Sequence, residues 1–291
     1  MASAYVNGVD IEYEVYGEHN ITSLLMIQGL SMQLIDWPSS LIEELSKHFK
    51  VIVFDNRDVG FSSKVESNQC FNYLDMNVGF FSQNVRYSSY SLYDMANDAI
   101  CLIDYLGIKV FHVLGFSMGG MIAQIVAANH PDRVLTLVSL LSSGGQEEIK
   151  PRLSAKLAME QSATDIGTGA MIQSLLDAVY VYAGPNHQIV RSVQRSFIER
   201  SVQRSYCPEG VYRQGLAMRS SGDRQALLRK IKAPALIIHG TDDPCIPIDQ
   251  SLRAAELIRH STLCVIKGLG HDFPEDLIPY IAGKIITHCD H

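Results

Sequence analysis

The sequence predicts an α/β fold, a mostly parallel sheet alternating with helices and interrupted by one helical insertion. Three observations carry this reading. Short apolar runs recur at Leu24 to Ile27, Val51 to Phe54, Val110 to Leu114, Val134 to Leu140, Ala235 to Ile238 and Thr262 to Ile266. Runs of this length suit strands covered on both faces. Helical patterns separate several of them. Between Ser142 and Ala233 the strand pattern stops and helical spacing replaces it, as in Met171, Ile172, Leu175, Leu176 and Val179. The predicted organisation is a core of residues 1–142 and 233–291 with a helical cap over 143–232.

In chain order, Ala4 to Val6 and Asp10 to Tyr16 alternate around Asn7-Gly8, which signals a tight hairpin. Leu24 to Ile27 is a buried strand. Pro38 begins a helix whose apolar positions are Leu41, Ile42 and Leu45. Val51 to Phe54 is the next strand. Lys64 to Ser89 is rich in Asn, Ser and aromatic residues without a period, and reads as a long loop. Ser91 caps a helix that runs to about Leu106 and ends at Gly107.

The strand Val110 to Leu114 then runs into Gly115-Phe116-Ser117-Met118-Gly119, followed at once by an apolar helical segment. So sharp a strand-to-helix turn strains its central residue and leaves no room for side chains two positions either side. Gly115 and Gly119 meet that need. The Ser117 hydroxyl is then presented at a helix N-terminus, where the helix dipole and free N–H groups favour developing negative charge. The pattern Gly-x-Ser-x-Gly alone arises by chance in about one chain in ten of this length. A base and an acid in the right places make it specific.

Both follow. The strand Ala235 to Ile238 leads into His239-Gly240-Thr241-Asp242-Asp243-Pro244, a turn with two carboxylates. The strand ending at Ile266 leads into Lys267-Gly268-Leu269-Gly270-His271-Asp272. Ser, then Asp, then His, each just past a strand's C-terminal end, is a triad order used on open α/β sheets. Ser117 needs a base, and His271 can take and return its proton. Asp242 and Asp243 both qualify as the group that orients it. Asp272 is too near His271 in sequence and reads as a cap of the last helix before Pro274. His239 reads as packing or turn structure.

These segments resemble the α/β-hydrolase superfamily over nearly the whole chain. Gly115 to Gly120 is similar to its nucleophile elbow, Gly240 to Pro244 to its acid turn, and Gly268 to His271 to its histidine loop. Phe54 to Ser62 is similar to the loop after its fourth strand, and Met26 to Leu30 to its oxyanion loop. Asp55-Asn56-Arg57-Asp58, with Asp36-Trp37-Pro38 upstream, is similar to a bacterial subgroup that includes the aclacinomycin methylesterase type. The resemblance implies an eight-stranded, mostly parallel sheet with helices on both faces. It assigns Asp243, the third residue after Gly240, to the triad. It implies an oxyanion hole from the backbone N–H groups of Leu30 and Met118. Gln28 stands where the superfamily usually has His, which leaves open whether its side chain enters the site. Gln28, Trp37 and Leu175 are candidate pocket residues.

A serine nucleophile implies hydrolysis of a carboxylic ester or related small acyl compound through an acyl-enzyme, with no metal or organic cofactor. Lactone hydrolysis, peracid formation and cleavage of a C–C bond beside a carbonyl are alternatives on the same triad. A small-molecule sensor that retains the triad is an alternative of another class.

Composition agrees. The 291 residues, 47% apolar, suffice for one such domain with an insertion. A net charge of −7 gives no support to nucleic-acid binding. The start lacks the basic and apolar regions of a signal peptide, and no apolar run reaches the roughly 20 residues of a membrane span. Six scattered cysteines fit a reducing compartment, so the cytoplasm is the expected location. Charge is uneven: residues 145–232 hold 13 Lys/Arg against 8 Asp/Glu. This reads as a solvated helical surface, or as a basic border to the entrance that favours anions. Arg191 to Ser196 recurs as Arg200 to Ser205; nine residues on a helix turn about 900°, so on one helix the copies would face opposite sides.

Overall fold

A computed structural model describes residues 1–65, 88–146, 149–164, 167–185 and 187–290. The expected Lys64 to Ser89 loop lies mostly outside the described residues. Eight strands form one sheet: β1 Ala2–Val6, β2 Val9–Tyr16, β3 Ser23–Ile27, β4 Lys50–Phe54, β5 Phe111–Phe116, β6 Val134–Leu140, β7 Ala235–Gly240 and β8 Ser261–Ile266. Their spatial order is β1-β2-β4-β3-β5-β6-β7-β8. The β1–β2 and β2–β4 pairs are antiparallel, and the rest are parallel. Asn7 and Gly8 both take positive φ, 49° and 79°, as a two-residue turn of the hairpin type requires.

The apolar strands cover two cores because side chains alternate across a sheet. On β3, Leu25 and Ile27 enter one core and Leu24 and Met26 the other. The first core is closed by α2 (Leu92–Tyr105), α3 (Met118–Asn129) and α9 (Ile248–Leu257). The second is closed by α1 (Ser39–Ser46) and α10 (Ile278–Cys289). Ser91 caps α2, its hydroxyl accepting from the Asp94 N–H while the Asp94 carboxylate takes the Ser91 N–H.

Five helices occupy the described residues between β6 and β7: α4 Leu153–Thr164, α5 Thr168–Tyr182, α6 Arg191–Arg204, α7 Pro208–Ser220 and α8 Gln225–Leu228. Ile172, Leu176 and Ile198 form a small core of their own there. The two similar stretches share the unbroken α6. The first copy faces Tyr180 and Glu199, through Arg191 and Arg195. The second turns to the sheet domain, where Arg204 pairs with Asp55 at 2.8 Å and Ser201 meets Gln33 and Asp36.

The charge asymmetry has a structural use that neither sequence reading included. Arg213 of α7 makes a two-pronged pair with Asp58, at 2.7 and 2.8 Å. Gln214 donates to the Arg57 carbonyl, and Arg57 itself pairs with Asp98 at 2.6 Å. Gly210 is where α7 meets Asp58: a side chain there would strike the Asp58 backbone. The loop after β4 is thus the seat on which α6 and α7 are bolted.

Candidate active site

Ser117 closes β5 and opens α3. Its backbone is strained, with φ 55° and ψ −117°. The elbow glycines explain how that strain is accommodated. A Cβ on Gly115 would collide with the Gly119 carbonyl, and one on Gly119 with the carbonyls of Ile27 and Gln28. Gly119 therefore lets α3 settle against the end of β3 and brings the Gly29–Leu30 loop beside Ser117. The Ser117 N–H donates to the Leu140 carbonyl at 2.9 Å, and the Ser142 hydroxyl donates to the Ser117 carbonyl at 2.7 Å. The elbow is fixed from both sides.

His271 reaches the serine from the loop after β8. Its Nε2 lies 3.0 Å from Ser117 Oγ, and its Nδ1 lies 2.7 Å from Asp243 Oδ2. The other Asp243 oxygen accepts from the Cys245 and Ile246 N–H groups, both at 2.8 Å. Burial opposes ionisation of Asp243, but His271, His239 and the Ile246 N–H outweigh it and hold the carboxyl below its ordinary value. An ionised Asp243 fixes the tautomer with hydrogen on Nδ1, leaving Nε2 to accept from the serine. Asp242 is bonded by Thr241 Oγ1 at 2.6 Å, away from His271. His239 is fully buried, its Nε2 facing the Ile246 carbonyl at 2.8 Å and its Nδ1 facing Ser251 Oγ at 2.7 Å. Burial lowers its pKa, and it packs behind Asp243.

Asp272 does not cap the last helix. It points back to His187, between α5 and α6, and the two form a hydrogen-bonded pair. Glycine again permits the contact, since side chains at Gly184 or Gly270 would collide across the junction. The His271 N–H donates to the Tyr182 carbonyl at 2.8 Å. The inserted helices therefore hold the histidine loop directly. Sequence spacing carried no sign of His187, because its partner is 85 residues away.

Ser117 and His271 open into a cavity of about 1080 Å³. Leu30, Phe116 and Phe273 form its floor side, and Leu175, Val179 and Phe197 belong to the inserted helices above. Of the candidate pocket residues, Leu175 lines the cavity. Gln28 does not: it is fully buried, and its Nε2 donates to the Gln33 carbonyl at 2.8 Å, bracing the Leu30 loop from behind. Trp37 does not either. It packs behind the wall, against Phe116 and Phe273 at centroid distances of 6.5 and 5.8 Å. Met118 follows Ser117 as the first residue of α3, so its N–H is among those the helix leaves without an internal acceptor.

Asp243, Cys245 and His271 offer donor atoms within 4.8 Å of one another, a spacing a metal could use. Burial raises the Cys245 thiol's pKa, opposing the thiolate that metal binding needs. Both Asp243 oxygens and both His271 nitrogens already have partners. The donor set suits proton relay rather than metal ligation.

The strand order, the elbow and the Ser–His–Asp alignment define the class of α/β hydrolases. The family described as the alpha/beta hydrolase fold matches residues 22–276, and the chain belongs to it. A rhodomycin D methylesterase of Streptomyces sp. (strain C5) is 26% identical over 298 residues, covering 94% of this chain and 93% of that one. This agrees with the methylesterase-type resemblance read from the loop after β4. An enol-lactonase from Burkholderia xenovorans LB400 has the same fold, with a TM-score of 0.78 at 22% identity and full coverage of both chains. So does a meta-cleavage product hydrolase from Pseudomonas fluorescens IP01, at 0.80 and 20%, covering 100% of this chain and 97% of that one. Among the described residues no helix is long and apolar enough to cross a membrane.

Proposed function

We propose that the protein is a serine hydrolase that cleaves a carboxylic ester of a small molecule. Ser117 is the nucleophile, His271 the base and then the acid, and Asp243 the group that orients it. The observation that carries this is the continuous alignment of Asp243, His271 and Ser117, at 2.7 and 3.0 Å, facing a cavity of about 1080 Å³. As the Ser117 oxygen bonds to the ester carbon, its proton passes to His271 Nε2. The carbonyl oxygen becomes an oxyanion held by the Leu30 and Met118 N–H groups. Collapse breaks the C–O bond, and His271 returns the proton to the leaving alcohol. Water then attacks the acyl-enzyme with His271 again as base, releasing the acid and restoring Ser117.

Residues 143–232 act as the cap in this reading, and their apolar lining selects the acyl group. Leu175, Val179 and Phe197 on the cavity wall support that role. A reducing, cytoplasmic setting belongs to the same reading, supported by five free thiols among the described residues. The test is a screen of chromogenic esters and lactones across chain lengths, with Ser117→Ala as the blank. Turnover of esters that disappears in Ser117→Ala is expected. Ester turnover that persists in the variant, or none with any ester, would refute the proposal.

A further inference from the structure

On the cavity over Ser117 sits a buried positive charge that, among the described residues, has no ion-pair partner. Arg224 lies just before α8, lines the cavity and is 2% exposed. Its acceptors are neutral: Nη2 donates to Ser143 Oγ at 3.0 Å and Nη1 to the Gly222 carbonyl at 3.4 Å. Its Nε–H is buried without an acceptor. No carboxylate among the described residues pairs with it. The other arginines that dock the inserted helices behave differently, since Arg204 and Arg213 each meet an aspartate at 2.8 and 2.7 Å. Among the described residues each carboxylate on the cavity wall has a donor other than Arg224 on one oxygen, Asp36 from the Gln33 N–H, Asp272 from His187 and Glu275 from Ser40, while the second oxygens of Asp36 and Asp272 are buried without one. Lys150, Lys156 and Arg219 add positive side chains to the same wall.

A guanidinium keeps its charge in proteins and carries five N–H donors in a planar fork. Two of the five are used here, both on uncharged oxygens. A buried charge without a partner is costly, and a ligand oxyanion would remove that cost by filling the fork in two-pronged fashion. The location is suitable. Ser143, which holds Arg224, follows Ser142, which holds the Ser117 carbonyl, and β6 neighbours β5. Ser117 and Arg224 line the same cavity, so one acyl chain can span from the nucleophile to the guanidinium.

We infer that Arg224 is an anion subsite, and that the enzyme's substrates are esters whose acyl part carries a second, free carboxylate. This rests on the ester-hydrolase reading and names its substrate class. The carboxylate binds Arg224 while Ser117 attacks the ester carbonyl at the other end of the acyl chain.

The test compares two series of 4-nitrophenyl esters: monoesters of dicarboxylic acids from glutaric to suberic, and esters of simple fatty acids of matching length. The wild type is expected to favour the charged series at least tenfold in kcat/KM at its best length. Arg224→Gln should lower the charged-to-neutral ratio by about 10- to 100-fold, as expected for a charge-assisted contact. Arg224→Lys, which keeps charge but not the fork, should fall between. A wild type that treats both series alike overturns the inference, as does a ratio unmoved by either substitution, while turnover of neutral esters would leave the hydrolase reading intact. Binding of free suberate gives an arm that needs no turnover. A rise in Tm with suberate in the wild type, lost in Arg224→Gln or weakened in Arg224→Lys, supports the subsite; no rise in the wild type overturns it.

Discussion

Gly119→Ala should disable the enzyme without touching its substrate. A Cβ at this position would lie 2.6 Å from the Gln28 carbonyl oxygen and closer still to that of Ile27. Unstrained C···O contacts lie near 3.3–3.6 Å, so α3 or the end of β3 must retreat by about 1 Å. Both neighbours are backbone and cannot rotate aside. Overpacking of this kind costs about 1–3 kcal/mol in stability. The larger effect is on rate. The retreat separates the Met118 N–H from the Leu30 loop, and a misplacement of this size costs about 10²-fold; a lost oxyanion donor costs about 10²–10³-fold. We expect kcat/KM to fall at least about 10²-fold. Gly283→Ala is the control. It is an exposed position of α10 with nothing within 4 Å of the added Cβ. There alanine should add roughly 0.5–1 kcal/mol of stability and leave the rate unchanged. Thermal melts and steady-state kinetics on both variants check this. A Gly119→Ala enzyme with less than a threefold loss and an unchanged Tm would refute the link between elbow packing and the oxyanion site.

Three more outcomes follow from the same geometry. Asp243→Asn should lower kcat by about 10⁴-fold, because an amide no longer enforces the Nδ1–H tautomer, and Asp242→Asn should change it little; the reverse ranking in steady-state kinetics would move the orienting group. Asp36 is raised to about 6, chiefly by burial, so the folded protein holds that proton more tightly than the unfolded chain and loses stability as pH rises from about 4 to 6. Asp36→Asn should therefore gain stability relative to wild type over that range, by on the order of 2 kcal/mol at pH 7, and parallel denaturation curves at pH 4 and 7 would contradict this. Leu175→Ala enlarges the cavity wall and should shift the ratio of long- to short-acyl ester rates by tenfold or more, since one methylene in an apolar pocket is worth about 1–3 kcal/mol; a lower Tm with an unchanged ratio would make Leu175 structural only.

The sheet was legible because its signals are local. Each parallel strand is built around a short, mostly apolar run, and the Asn7-Gly8 turn and the Ser91 cap are written in near neighbours. Ser117 and His271 could be singled out because each sits just past a strand end, in the chain order of a triad; strand ends alone left Asp242 and Asp243 open, and the family resemblance chose Asp243. What failed depends on where side chains point after long loops close. Gln28 occupies a site position by backbone alignment, yet its amide turns to Gln33. Trp37 is near the site but one layer behind Phe116. Asp272 looks like a helix cap until α5 and α6 bring His187 to it. The basic composition of residues 145–232 gave no hint that Arg204 and Arg213 would pair with Asp55 and Asp58 while Arg224 meets only neutral acceptors on the cavity wall.

In the proposed reaction Ser117 carries the acyl group between two half-reactions. Acid quench of the enzyme during turnover of a chromogenic ester, followed by mass measurement of the intact chain and its peptides, tests it directly. A mass increase equal to the acyl group is expected, confined to the peptide holding Ser117 and absent from Ser117→Ala. An adduct on another residue, or turnover by Ser117→Ala at the wild-type rate, would contradict it.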